Sequence, residues 1–148
     1  MRGKPSFDIR EMRPEDYGAL IDLWKETGLT YHHRGRDSKQ RVVQELGTPM
    51  ALFLVAEADE RLVGSLLGTT DGRKGWINRL AVHPEWQRKG VALALLKELE
   101  RRFDQQGILV FCALIQGDNS SSRTFFKKAG YEEDSSVVYY SKRKGRDV

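Results

Sequence analysis

The sequence predicts an α/β fold of the α+β kind, with a mixed central sheet of six to seven strands flanked by about four helices. Three observations predict it. Strand-like apolar runs separated by turn residues occupy 51–82. A strongly periodic helix follows, with Val91, Leu95, Leu99 and Phe103 four residues apart and Lys97, Glu98, Arg101 and Arg102 facing away. A further apolar run, Ile108 to Ile115, comes after that helix, so the strands on either side of it are most simply parallel and joined by a right-handed crossover.

Taken in order, Phe7 to Met12 alternates apolar and polar residues, as a half-buried strand does. Pro14, Glu15 and Asp16 open a helix, because proline suits a first turn and acidic groups complement the dipole there. Tyr17, Leu20, Ile21 and Trp24 form its apolar face, and Gly28 ends it. Residues 29–37 make a polar, aromatic and basic loop, after which Ser38 caps a second helix carrying Val42, Val43 and Leu46 and stopping near Gly47. Three strands follow in meander order: 51–57, 61–69 and 76–82, turned by Asp59-Glu60 and Asp71-Gly72. Beyond the strand at 108–115, Asn119 caps a helix containing Phe125, Phe126 and Ala129, with Gly130 at its C-terminal end. A last strand is expected over 136–141 around Val137-Val138-Tyr139-Tyr140. No repeat or linker interrupts the chain, which reads as one domain over 1–148 with a short basic tail at 142–148.

Composition narrows the function classes. With 39% hydrophobic and 31% charged residues the chain reads as soluble and globular. It has no apolar run near the roughly 20 residues of a membrane span, and Met1 to Pro5 has no apolar signal core behind it. Cytoplasmic localisation and no membrane partner follow as the default. Of the net charge of +4, the tail supplies most, since Lys142, Arg143, Lys144 and Arg146 stand there against Asp147 alone. The nearly neutral remainder argues against nucleic acid. The single cysteine, Cys112, excludes an intramolecular disulfide and reads as a small core residue, because no basic or histidine neighbour in sequence lowers its pKa. His32 and His33 diverge as neighbours and lack a third ligand at useful spacing, so no metal site is predicted.

The stretch that carries chemistry is Leu80-Ala81-Val82-His83-Pro84-Glu85-Trp86-Gln87-Arg88-Lys89-Gly90-Val91-Ala92. A strand stops at a proline, a basic loop with one glycine follows, and a helix begins. Helix N-termini present amides without intrahelical partners, and a glycine lets the backbone approach an anion closely. Gln87, Arg88 and Lys89 add donors and charge, so the loop predicts a phosphate or pyrophosphate site.

This loop resembles the Q/R-x-x-G-x-G/A signature of the GNAT-type N-acetyltransferases, here Gln87, Gly90 and Ala92. A second stretch, Asn119 to Tyr131, resembles the family's N-x-x-A-x-x-(apolar)-Y-x-K-x-G-F. Asn119, Phe125, Lys128 and Gly130 match it, Tyr131 is a close variant, and Ser122 replaces the alanine. The element order β-α-α-β-β-β-α-β-α-β is also that of the GNAT fold, over nearly the whole chain.

The resemblance implies a V-shaped splay between the strands at 76–82 and 108–115, and acetyl-CoA as co-substrate with no metal. It implies that Leu80, Ala81 and Val82 offer backbone groups to the pantetheine arm, with a Leu80 N–H facing the thioester carbonyl. The loop Gln87 to Ala92, including Val91, would take the pyrophosphate. Asn119, Ser122, Phe125, Phe126 and Lys128 would border the cofactor. The activity implied is N-acetyl transfer to a primary amine of a small molecule or protein, by direct attack in a ternary complex. Phe126 stands where many relatives carry the tyrosine that protonates the leaving thiolate. Alternation places Trp76, Asn78 and Leu80 on one strand face; Asn78 is a candidate for positioning a water, and Glu57, His32 and His33 remain alternatives as base. Tyr31, His32 and His33 are expected in the acceptor-facing loop. A weakly active or inactive acyl-CoA-binding sensor is the alternative function. The last strand is a candidate edge for a homodimer.

Overall fold

The computed structural model describes residues 6–148; Met1 to Pro5, read above as lacking a signal core, lie outside the described residues. Five strands form one sheet: β1 (Asp8–Glu11), β2 (Ala51–Ala58), β3 (Arg61–Thr70), β4 (Lys74–Val82) and β5 (Val110–Ala113), paired in that order. The first four are antiparallel neighbours, and β4 runs parallel to β5. Four helices accompany them: α1 (Tyr17–Thr27), α2 (Lys39–Leu46), α3 (Val91–Gln105) and α4 (Ser120–Lys128).

The local signals act as expected. Asp59 and Glu60 both take positive φ, 51° and 61°, the conformation that a two-residue hairpin needs. The Asp71 carboxylate accepts from the amides of Arg73 and Lys74 and closes the next turn. Ser38 caps α2 by accepting from the Arg41 amide, and Asn119 caps α4 by accepting from that of Ser122.

One predicted element does not form. Residues 136–141 pair with no strand, and Val137, Val138, Tyr139 and Tyr140 are 61–90% exposed, so among the described residues the sheet has five strands and not six to seven. Strand propensity expresses itself only against a neighbour. Here the tail runs instead toward the loop before α2, where the Asp147 carbonyl and Val148 crowd Gly35. The strand predicted over 108–115 also shortens to four residues. Ile108 is buried and its amide closes the end of α3 on the Phe103 carbonyl, while Leu114 leaves the sheet.

Apolar cores cover both faces of β2 and β3. Leu54, Val63, Leu66 and Ile77 pack against α3, whereas Phe53, Val55, Leu67 and Ala81 pack with Leu20, Trp24 and Val42 of α1 and α2. The α3 side is unusually close because glycines lie under the helix. A Cβ on Gly64 would stand 2.8 Å from Val91, one on Gly68 2.5 Å from Leu99, and one on Gly75 2.4 Å from Phe103. The four-residue repeat of α3 is thus seated on a glycine track, which fixes where its N-terminus emerges.

Gly68→Ala is therefore expected to destabilise the fold by about 1–3 kcal/mol, the usual cost of overpacking. Gly18→Ala in α1, where a Cβ meets nothing within 4 Å, should be neutral or stabilising. Thermal denaturation of the two variants checks the contrast.

Candidate active site

β4 and β5 pair only from Lys74↔Val110 to Ile77↔Ala113, and beyond that they part. The β4 edge from Asn78 to Val82 is left without a strand on that side. The opening is a cleft of about 680 Å³, within the range of small-molecule sites. Asn78 and Leu80 line it from β4, Leu114 and Gln116 from the segment after β5, and Asn119, Ser122 and Phe126 from the start and the last turn of α4.

The β3–β4 register slips inside this opening. Ser65 faces Ala81 and Leu67 faces Asn78, so Arg79 and Leu80 together oppose Leu66 in a β-bulge. Arg79 carries a positive φ of 55°, which non-glycine residues seldom adopt. The extra residue re-aims the strand. Leu80 joins Val82 on the α3 side, while Arg79 reaches Asp37 and Trp24 on the other. The expectation that Leu80 shares a face with Trp76 and Asn78 is thereby corrected: period-two alternation fails across one inserted residue.

After β4, Pro84–Trp86 forms a single 3₁₀ turn, and α3 starts at Val91 with Gly90 as its N-cap. Arg88 and Gly90 have positive φ, 62° and 85°, on either side of Lys89. Among the described residues, the amides of Arg88, Lys89, Gly90, Val91, Ala92 and Leu93 donate to no group of the chain. They form a run of free donors at the positive end of a fifteen-residue helix. The Lys89 ammonium lies 5.1 Å from the Trp86 ring centroid, and Gln87 donates from its side-chain amide to the Val82 carbonyl at 3.3 Å.

The chain is similar to known proteins. Residues 10–131 match the acetyltransferase (GNAT) family. The chain belongs to the GNAT family. An acetyltransferase of Sodalis glossinidius (strain morsitans), SG1711, is 32% identical over 136 residues, covering 92% of this chain and 94% of that protein. Among solved structures, the PaiA N-acetyltransferase from Thermoplasma acidophilum, in complex with coenzyme A, is 27% identical with a TM-score of 0.77, over 88% of this chain and 94% of that one. AAC(6')-Iy, in complex with the bisubstrate analog CoA-S-monomethyl-acetylneamine, has a TM-score of 0.77 at 21% identity, over 93% and 99% of the two chains, and so shows the shared fold alone.

Within this GNAT chain, the remaining residues singled out by sequence separate into groups. Phe125 is half-buried against the α3-side core, and Lys128 is exposed in the last turn of α4, where it complements the dipole. Phe126 is buried, edge-on to Phe125 and Tyr131, and presents carbon alone to the cleft. The Tyr131 hydroxyl donates to Glu100 at 2.8 Å, and burial, together with that carboxylate, pushes its pKa far above the ordinary phenol range.

In the loop before α2, Leu29, Thr30, Arg36 and Asp37 line the cleft. Tyr31 and His33 instead border a separate depression over α1, with Tyr31 stacked toward Trp24. The His32 amide donates to Asp37 at 2.7 Å. Glu57 is paired with Arg10 at 2.9 Å on the β1 side of the sheet. Cys112 is half-buried on β5, opposite Trp76. Among the described residues no cluster of three or more His, Cys, Asp or Glu is placed to hold a metal, and no helix is long and apolar enough to cross a membrane.

Sequence reasoning missed Asp37, Glu45 and Arg79, all of which line the cleft. Glu45, on α2, makes no ion pair among the described residues, and burial, then the charge of Asp37, lifts its carboxyl above the usual range. Its position on the second helix carried no motif, and only the tertiary fold brings it to the opening.

Proposed function

We propose that the chain is an acetyl-CoA-dependent N-acetyltransferase, one catalytic unit over 1–148, which moves an acetyl group to a primary amine by direct attack in a ternary complex. The observation that carries this reading is the row of free amides at 88–93, reached along the unpaired β4 edge from a cleft open between β4 and β5. Those amides suit a pyrophosphate, and the β4 edge suits a pantetheine arm laid beside it as an added strand. Coenzyme A in the complex of the PaiA relative supports the same assignment.

Acetyl-CoA would supply an activated thioester carbonyl, and the chain would supply placement, a base and charge stabilisation. The Leu80 amide at the bulge is the donor assigned to the oxyanion. Glu45 is the carboxylate assigned as base, acting on the acceptor ammonium through a water held by Asn78, since its raised proton affinity suits that task. No hydroxyl stands at Phe126, so the thiolate leaves unprotonated or takes its proton from water, which a thiol pKa of about 8.5 permits. Arg36 and Arg143 on the cleft wall beside the carboxylate of Glu45, which is unpaired among the described residues, favour an acceptor of low positive charge over a polycation.

Calorimetry with acetyl-CoA tests the first half, and the absence of binding at millimolar concentration overturns it. Thiol release against a panel of amines and peptides tests the second. Phe126 favours one other reading, a domain that binds acyl-CoA without turnover, and any rate well above background rejects it.

A further inference from the structure

We propose that Arg79 and Asp37 form a positioning pair that couples the acceptor-side loop before α2 to the β4 bulge carrying the Leu80 amide. The inference rests on the acetyltransferase reading for its consequence, but its geometry stands apart from it. Arg79 holds a backbone conformation that favours glycine, with φ of 55°. Its side chain supplies the compensation. The guanidinium lies 2.7 Å from the Asp37 carboxylate and 5.7 Å from the centroid of the fully buried Trp24 ring. Ser65, opposite the bulge, donates to the Arg79 carbonyl at 2.9 Å and accepts from the Trp24 indole at 3.0 Å.

The other end of the pair organises the loop. Asp37 is only 5% exposed, and the carboxylate oxygen that meets Arg79 also accepts from the His32 amide at 2.7 Å. Its carbonyl accepts from the Tyr17 hydroxyl at 2.6 Å, which ties the loop to α1. One carboxylate therefore closes residues 32–37 and anchors the bulge across the cleft. Removing the guanidinium leaves a buried carboxylate with the His32 amide alone, and removing the carboxylate charge leaves the largely buried guanidinium without its counter-ion. An acceptor that orders the loop would, through this pair, fix the amide that receives the oxyanion.

Residue-resolved amide exchange on the full chain without ligand tests the coupling. Arg79→Gly removes the guanidinium but tolerates the positive φ, and Asp37→Asn keeps the size while removing the charge. Either substitution should speed exchange at both ends, His32 and Asp37 in the loop and Asn78 and Ala81 flanking the bulge, by about tenfold or more. Leu99 in α3 should be unaffected. Changes confined to the loop in Asp37→Asn and to the bulge in Arg79→Gly overturn the coupling.

In turnover, kcat should fall by up to about 10²-fold, as a small displacement of a reacting group does, a larger loss than that in acetyl-CoA affinity, with partial recovery in Arg79→Lys. An unaltered kcat in Arg79→Gly overturns the positioning role. Should one variant not fold, Ser65→Ala, which removes only the bond to the Arg79 carbonyl and the indole acceptor, should still speed exchange at Ala81. Failure of wild-type protein to bind acetyl-CoA speaks against the enzyme reading alone, since the exchange result decides the coupling independently.

Discussion

Gly90→Glu is expected to weaken acetyl-CoA binding by at least about 10²-fold, because placing a like charge against a bound anion costs several kcal/mol and each 1.4 kcal/mol is tenfold. The variant should still fold. A Cβ on Gly90 meets no atom within 4 Å, so the substitution fills open space in front of the free amides rather than core. Its backbone cost, from a φ of 85°, is of the order of 1–2 kcal/mol. Gly90→Ala carries that backbone cost without the charge, and should bind far more tightly than the glutamate variant. Calorimetry on both, with melting curves as a control, separates the electrostatic loss from the conformational one. Undiminished affinity in Gly90→Glu would remove the loop from the site.

Glu45→Gln is the second large effect, with kcat expected to fall by about 10²–10⁴-fold, the usual contribution of a general base. The wild-type acid limb should lie above the ordinary carboxylate range, because burial raises the proton affinity of Glu45. As pH falls through that value the carboxylate takes a proton and the rate drops; in the variant this limb should vanish. Stability should move the opposite way. A carboxyl that binds its proton more tightly when folded favours the folded state at low pH, and this contribution is lost as pH rises through the folded-state value. Near neutral pH, Glu45→Gln should therefore be neutral or stabilising while activity collapses. A pH–rate profile and a pH series of melts, taken together, check both signs, and an unchanged acid limb in Glu45→Gln would exclude it as the base.

The sequence was legible where a feature depends on a few neighbouring residues. Asp59-Glu60 and Asp71-Gly72 turn the meander, Ser38 and Asn119 cap their helices, and the Val91–Phe103 repeat finds its core. It was less legible where geometry depends on partners far away in the chain. The bulge at Arg79–Leu80 is held by Asp37, Trp24 and Ser65, none of them close in sequence, so alternation alone placed Leu80 on the wrong face. Val137 to Tyr140 has strand-like residues but no strand beside it, and it stays exposed. Glu45 carries no signal in the sequence, and only the packing of α2 brings it to the opening. The glycines at 64, 68 and 75 carry no local signal in the sequence, and their role lies in the helix above them.

That glycine track has a mechanical consequence. With Val91, Leu95, Leu99 and Phe103 pressed so near the sheet, α3 has little freedom to slide or tilt independently of β3 and β4. The donors at its first turn and the bulge in the cleft wall are thus mounted on one stiff frame, and the spacing between the two grips acts as a ruler for the length of any ligand that spans them.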